Sequence, residues 1–188
     1  MARKKVIVVT DGDGRAKAAV RQAARNLGLH CIERSAGTPT HAGGRELAAM
    51  AKQAPVEPVI VMFDDRGKRG KGPGEKALED FARDAGIEIV GAVAVASNTK
   101  ADKSVTVDES VTKEGEVTAG PVGKSGAPEP PGHEQLEGDT VGILSRLQIP
   151  KIVGIGDLGK MDTQDAVEKG ALITTRAIRE ILEHQGMV

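Results

Sequence analysis

Val6-Ile7-Val8-Val9-Thr10-Asp11-Gly12-Asp13-Gly14 is the stretch whose reading decides the fold. A β-branched apolar run, with no polar alternation, stops at two acids and two glycines. Strands of a parallel sheet covered by helices on both faces have this pattern. Asp11 and Asp13 then fall just past the carboxyl end of the strand, where open α/β sheets bind their ligands. The same grammar returns twice. Val59-Ile60-Val61-Met62-Phe63 ends at Asp64 and Asp65, and Ile152-Val153-Gly154-Ile155-Gly156 ends at Asp157. Three buried strands are therefore expected to deliver carboxylates to one edge.

Working outward, Gly14 to Leu27 carries an alanine-rich apolar stripe opposite Arg15, Lys17, Arg21 and Arg25, which predicts a helix close to the sheet, stopped by Gly28. Leu29 to Glu33 reads as a short strand. Arg45 to Gln53 and the segment from Pro73 to Gly86 read as helices, with Pro73 in the first turn. Ile87 to Ala96 is a fourth strand, and Lys151 to Ile155 the fifth. Asp139 or Thr140 is expected to cap a helix over Val141 to Leu147, Asp162 or Thr163 a short one ending near Gly170, and Thr174 or Thr175 the last.

The expectation is one domain over residues 1–188, a three-layer α/β/α fold with a mostly parallel sheet of about five strands joined by right-handed crossovers. A flavodoxin-like order, 2-1-3-4-5, is expected, with a Toprim-like order as the alternative. Residues 100–135 form an excursion. There Ser104 to Asp108 alternates with period two and Glu116 to Thr118 follows a Glu114-Gly115 turn, which predicts a small β-hairpin. Ser125 to Gly132 reads as an extended linker.

Composition narrows the function. The 188-residue chain has a net charge of -1, no Trp, no Tyr, and only Phe63 and Phe81 as aromatics. Neither a basic field nor stacking platforms exist for nucleic acid. Cys31, the single cysteine, forms no intramolecular disulfide or thiolate zinc cluster. No apolar run approaches membrane-spanning length, so no membrane insertion is expected. The four histidines are scattered, and no Ser-His-Asp or Cys-His arrangement can be assembled.

Two clusters carry the candidate chemistry. Asp11, Asp13, Asp64, Asp65 and Asp157 converge on one edge if the strands are parallel. Such carboxylates repel unless a cation sits among them, and oxygen-only ligands suit Mg²⁺ or Ca²⁺ rather than zinc. Against this stands the common use of Asp to cap turns after strands. Ser97, Thr99 and Lys160 fall at auxiliary positions. The second cluster is Arg66, Lys68, Arg69 and Lys71 in a glycine-rich loop ahead of Pro73, positioned to meet an anion at the helix start or to remain solvated. It is no Walker A loop. Gly154-Ile155-Gly156-Asp157-Leu158-Gly159 matches G-x-G-x-x-G, but no later strand supplies the ribose-binding acid, so tight packing is the better reading.

Several blocks together carry a resemblance: Val9 to Asp13, Gly37 to Thr40, Pro58 to Asp65, Gly72 to Leu78, Val93 to Thr99, Gly138 to Thr140 and Ile152 to Met161. In this order, over nearly the whole chain, they resemble the stage V sporulation protein AE family, the soluble AEa component of the SpoVA group. The resemblance implies a spore protein, soluble or peripheral at the inner spore membrane, acting in germination alongside the movement of calcium dipicolinate. Its implied partners are membrane SpoVA components or germination proteins. The family implies no catalytic residue. Two readings follow: a docking protein using the loops Ser35 to Gly44, Arg66 to Gly74 and Ser97 to Lys103, with Asn98 among them, or a Mg²⁺-dependent phosphoryl- or nucleotide-handling domain. Direct binding of Ca²⁺ or dipicolinate at the edge is a third.

Overall fold

A computed structural model describes residues 2–98 and 103–188. Strand β1 (Lys4–Val9) lies at the centre of the sheet, and Val6, Ile7, Val8 and Val9 have no exposed surface. Val6 and Val8 face one core, with the helices α2 (Gly44–Gln53) and α3 (Pro73–Ala82). Ile7 and Val9 face the other, with α1 (Gly14–Leu27) and α4 (Leu172–His184). Successive residues of a strand point to opposite faces, so an unbroken apolar run is what two helical layers demand. The three-layer α/β/α expectation holds.

The remaining strands are β2 (His30–Cys31), β3 (Val59–Met62), β4 (Ile87–Val95), β5 (Ser104–Val105), β6 (Glu109–Val111), β7 (Val117–Thr118), β8 (Leu136–Glu137) and β9 (Ile152–Ile155). The main sheet has seven strands in the order β2-β3-β1-β4-β9-β6-β7, and β5 pairs with β8 separately. All main-sheet pairs are parallel except β6 with β7.

Several details differ from the sequence reading; the last helix, for one, begins at Leu172 behind Ala171, so Thr174 and Thr175 lie within it and do not cap it. The flavodoxin-like order is not adopted: β3, not β2, is hydrogen-bonded to β1, and β2 lies outside it. The hairpin exists, but its first strand is Glu109–Val111, and it extends the sheet beside β9 instead of standing apart from it. Ser104–Val105 pairs with Leu136–Glu137. The alternation in 104–108 was thus real but satisfied by a partner some thirty residues away, which periodicity alone does not identify. Finally, Val141–Arg146 is a 3₁₀ helix, and between Asp162 and Gly170 only Val167–Lys169 is helical, again as 3₁₀. Met161, Asp162 and Thr163 all adopt left-handed backbone, at φ 52, 54 and 67, and three such residues in a row lie outside the right-handed conformation a helix needs.

The glycine motif serves packing. A Cβ on Gly156 would lie 2.6 Å from the Gly126 nitrogen, and Gly159 has φ +73 against α1. The backbone of 124–126 therefore closes over the carboxyl end of β9. Asp157 donates its N–H to the Lys124 carbonyl at 2.8 Å. This turn belongs to the Ser125 to Gly132 segment, so the segment is part of the site's wall.

A carboxylate cleft at the topological switch

Between β1 and β4 the chain changes direction across the sheet. β3 and β2 lie on one side of β1, and β4, β9 and β6 on the other. At such a switch the loops after the two strands part and leave a crevice. A cleft of about 180 Å³ occupies it, lined by Asp11, Asp13, Asp64, Asp139 and Asp157 among others.

Asp11 lies two residues past the end of β1. Its Oδ1 accepts from the N–H of Gly12 at 2.7 Å and of Asp13 at 3.3 Å. Burial pushes its carboxyl up to about 7, and the charges of Asp13 and Asp64 push the same way. Asp13 caps α1: its Oδ1 accepts from Ala16 N–H at 2.8 Å. Asp157 follows β9. One oxygen each of Asp11, Asp13 and Asp157 lies within 4.8 Å of the other two. Lys160 reaches back into this group. Its ammonium donates to Asp157 Oδ2 at 2.9 Å and lies 3.6 Å from Asp13 Oδ2. The Asp157 hydrogen bond, and then the charges of Asp157, Asp13 and Asp11, hold Lys160 above the usual lysine range.

The adjacent acids Asp64 and Asp65 separate. Asp64 faces the cleft. Its Oδ1 accepts from Arg66 N–H at 3.0 Å, and its backbone N–H donates to Thr40 Oγ1 at 2.8 Å. Burial raises its carboxyl, while the hydrogen bonds from Arg66 and the Thr38 hydroxyl oppose the rise. Asp65 turns away, is 1% exposed, and does not line the cleft. Its carboxylate accepts from Gly74 N–H at 2.7 Å, from Glu75 N–H at 3.1 Å and from the Thr140 hydroxyl at 2.8 Å. It thus fills the start of α3, where the sequence had offered an anion site beside Pro73. As a metal-ligand candidate it is displaced by this structural role.

Of the basic loop, Arg66 lines the cleft. Lys68 and Arg69 are exposed, and Lys71 pairs with Glu79. The Lys68 carbonyl accepts from Lys103, whose ammonium also lies 3.4 Å from the buried Glu75. Ser97 Oγ accepts from Asp139 N–H at 2.8 Å. Asn98 lines an adjoining surface hollow with Lys124 and Lys160. Thr99 lies outside the described residues.

Sequence reading missed Asp139 and Lys124. Asp139 was read as a helix cap, yet its Oδ2 accepts from Gly67 N–H, its Oδ1 is buried without a hydrogen-bond partner, and burial raises its carboxyl. No strand end announced it; the 136–140 segment reaches the edge through pairing of β8 with β5 and the hydrogen bond that Ser97 N–H donates to the Glu137 carbonyl at 3.1 Å. Asp165 was missed too. Fully buried, it accepts from Gly159 N–H and Thr174 N–H at 2.8 Å each and from the Thr174 hydroxyl at 2.6 Å. It thereby fastens the loop bearing Asp157 and Lys160 to α4.

No helix among the described residues is long and apolar enough to cross a membrane. Comparison with curated proteins and with solved structures finds no match. The family described as "Stage V sporulation protein AE1" matches residues 5–185, from the start of β1 to the end of α4. With the motif blocks embedded in the strand ends of one sheet and the match spanning that whole sheet, the chain belongs to the stage V sporulation protein AE1 family and is a sporulation-related protein of the SpoVA group.

Proposed function

We propose that this protein is an accessory component of the spore SpoVA machinery that works in germination by docking on other proteins. Its partners in this reading are the membrane SpoVA components or germination proteins, met at the inner spore membrane and linked to calcium dipicolinate release. The observation that carries the reading is the exposed loop from Arg66 to Lys71 beside the carboxylate cleft. Among the described residues Arg66, Lys68 and Arg69 take part in no ion pair, so their charge is available to an acidic partner surface. Most of the nearby acids are already engaged by backbone N–H groups or by Lys160, as a structural edge requires.

Reversing Lys68 and Arg69 to Glu tests this. Retention of the protein by spore inner-membrane fractions carrying SpoVA components is expected to fall at least about tenfold, because rim charges govern encounter and orientation. The melting temperature is expected to stay within about 2 °C, since both side chains are exposed. Unchanged retention defeats the docking reading.

A second reading has its own observation, the Asp11, Asp13 and Asp157 oxygens within 4.8 Å of one another. They suit a hard divalent cation, and a Mg²⁺-dependent phosphoryl or nucleotide-handling reaction would use Asp11 and Asp13 with Asp64 nearby. Hydrolysis of a phosphate ester in the presence of Mg²⁺, abolished by Asp11→Asn, supports that reading. Its absence at millimolar Mg²⁺ removes it.

A further inference from the structure

The basic loop is held more firmly than an exposed, glycine-rich segment needs to be. Arg66 and Gly67 both adopt left-handed backbone, at φ 55 and 69. For arginine that conformation is disfavoured, and it persists only where surrounding groups fix it. Here three successive N–H groups are tied inward. Arg66 donates to Asp64 Oδ1 at 3.0 Å, Gly67 to Asp139 Oδ2, and Lys68 to the Asp65 carbonyl at 3.4 Å.

A fourth contact comes from a side chain that neither reading uses. Lys103 donates from Nζ to the Lys68 carbonyl at 3.0 Å, and the same ammonium lies 3.4 Å from Glu75 Oε1. The Lys103 and Glu75 side chains are only 10% and 7% exposed. Lysine is almost never held this far out of water unless it is paired. Both partners stand on fixed backbone. Lys103 directly precedes β5, and its carbonyl accepts from Gly138 N–H at 3.2 Å, just past β8. Glu75 lies in the first turn of α3, where its N–H donates to Asp65. The ammonium therefore bridges the β5–β8 pair and α3, and from that bridge it reaches the loop. It takes a backbone carbonyl there, so the exposed side chains of Arg66, Lys68 and Arg69 keep their charges for a partner.

We infer that Lys103 is the positioning residue of the docking loop: its shielded ammonium, paired with Glu75, holds the Lys68 carbonyl so that Arg66, Lys68 and Arg69 meet an acidic partner as one preformed array. The inference rests on the docking reading and adds that the partner recognises the loop's order as well as its charge. A preformed loop loses less freedom on binding, which strengthens the complex.

Lys103→Met combined with Glu75→Gln tests it in the full chain. Removing the pair together leaves no buried charge alone, keeps the net charge, and spares every exposed cation of the loop. Amide hydrogen exchange followed by NMR is expected to quicken at least about fivefold at Gly67 and Lys68 and to change less than about twofold in β1 and β3. Retention by spore inner-membrane fractions carrying SpoVA components is expected to fall at least about fivefold. Lys103→Arg keeps a cation with donors for both acceptors and is expected to stay within about twofold of wild type in both measurements. Lys103→Gln, too short to serve both acceptors, replaces the double variant if that does not fold, with the same expectation. If Gly67 and Lys68 exchange as in wild type, Lys103 does not hold the loop and the inference is overturned. Faster loop exchange with full retention also overturns it when Lys68→Glu with Arg69→Glu still abolishes retention. If that charge reversal leaves retention unchanged as well, the docking reading itself fails, and this use of the loop falls with it.

Discussion

Asp65→Ala is the most informative single perturbation of the fold. The carboxylate is 1% exposed and receives three donors: Gly74 N–H, Glu75 N–H and the Thr140 hydroxyl. Removing it strands three donors in a place that water reaches poorly. A buried donor left unsatisfied costs about 1–3 kcal/mol, and loss of a helix cap about 1 kcal/mol within that sum. Against this, loss of the Asp65 charge relieves Asp64, whose carboxyl it helps to raise. The net expectation is a loss of about 3–4 kcal/mol. For a chain of this length each kcal/mol moves the melting temperature about 2–4 °C, so the fall is about 6–16 °C. Asp65→Asn keeps one acceptor oxygen and is expected to lose about half as much. Urea unfolding of wild type and both variants, followed by far-ultraviolet circular dichroism, measures the differences through the midpoints. A loss below about 1 kcal/mol for Asp65→Ala would refute the assignment of this acid to the start of α3 and return it to the list of site residues.

Further outcomes follow from the same geometry. The Asp11 carboxyl is raised from 3.8 to about 7 in the folded chain, so the folded state holds its proton more tightly than the unfolded state. That contribution is complete below about pH 4 and is lost as pH rises to about 7. Asp11→Asn is therefore expected to gain about 1–3 kcal/mol over wild type at pH 8 and little at pH 4; equal differences at both pH values would contradict it. Two helical glycines should respond oppositely to Ala. Gly14 has open space around the new Cβ and is expected to gain about 0.5–1 kcal/mol. At Gly74 a Cβ would lie 2.5 Å from the Asp64 carbonyl oxygen, and the melting temperature is expected to fall by at least about 5 °C.

Phe63 and Phe81 show how the sequence and the structure divide the work. With no other aromatics, the α2/α3 face had to be filled by one ring pair and by aliphatic residues. The two rings do meet, edge to face, with centroids 5.5 Å apart. That Phe63 lies inside was readable from the run it ends. That it meets Phe81 required α3 to pack beside α2 and against β4. The same holds at the site. The strand ends of β1, β3 and β9 announced Asp11, Asp64 and Asp157, because an apolar run that ends in acid must surface there. Asp139 had no such announcement, because the short strand ahead of it forms only by pairing with β5.

The sequence by itself determined that β1, β3 and β9 are buried on both faces, that acids stand at their carboxyl ends, and that the chain shares its motif blocks with a sporulation family. Those features are local: they depend on which residues neighbour one another along the chain. Only the tertiary structure decided the strand order, the placement of β6 and β7 beside β9, and the parting of Asp64 from Asp65. It alone placed Lys160 among the carboxylates. Adjacent side chains leave a strand end in opposite directions, so which of the two acids meets the cleft depends on where α3 packs. An ammonium on a flexible stem finds its partner only once distant segments have closed around it.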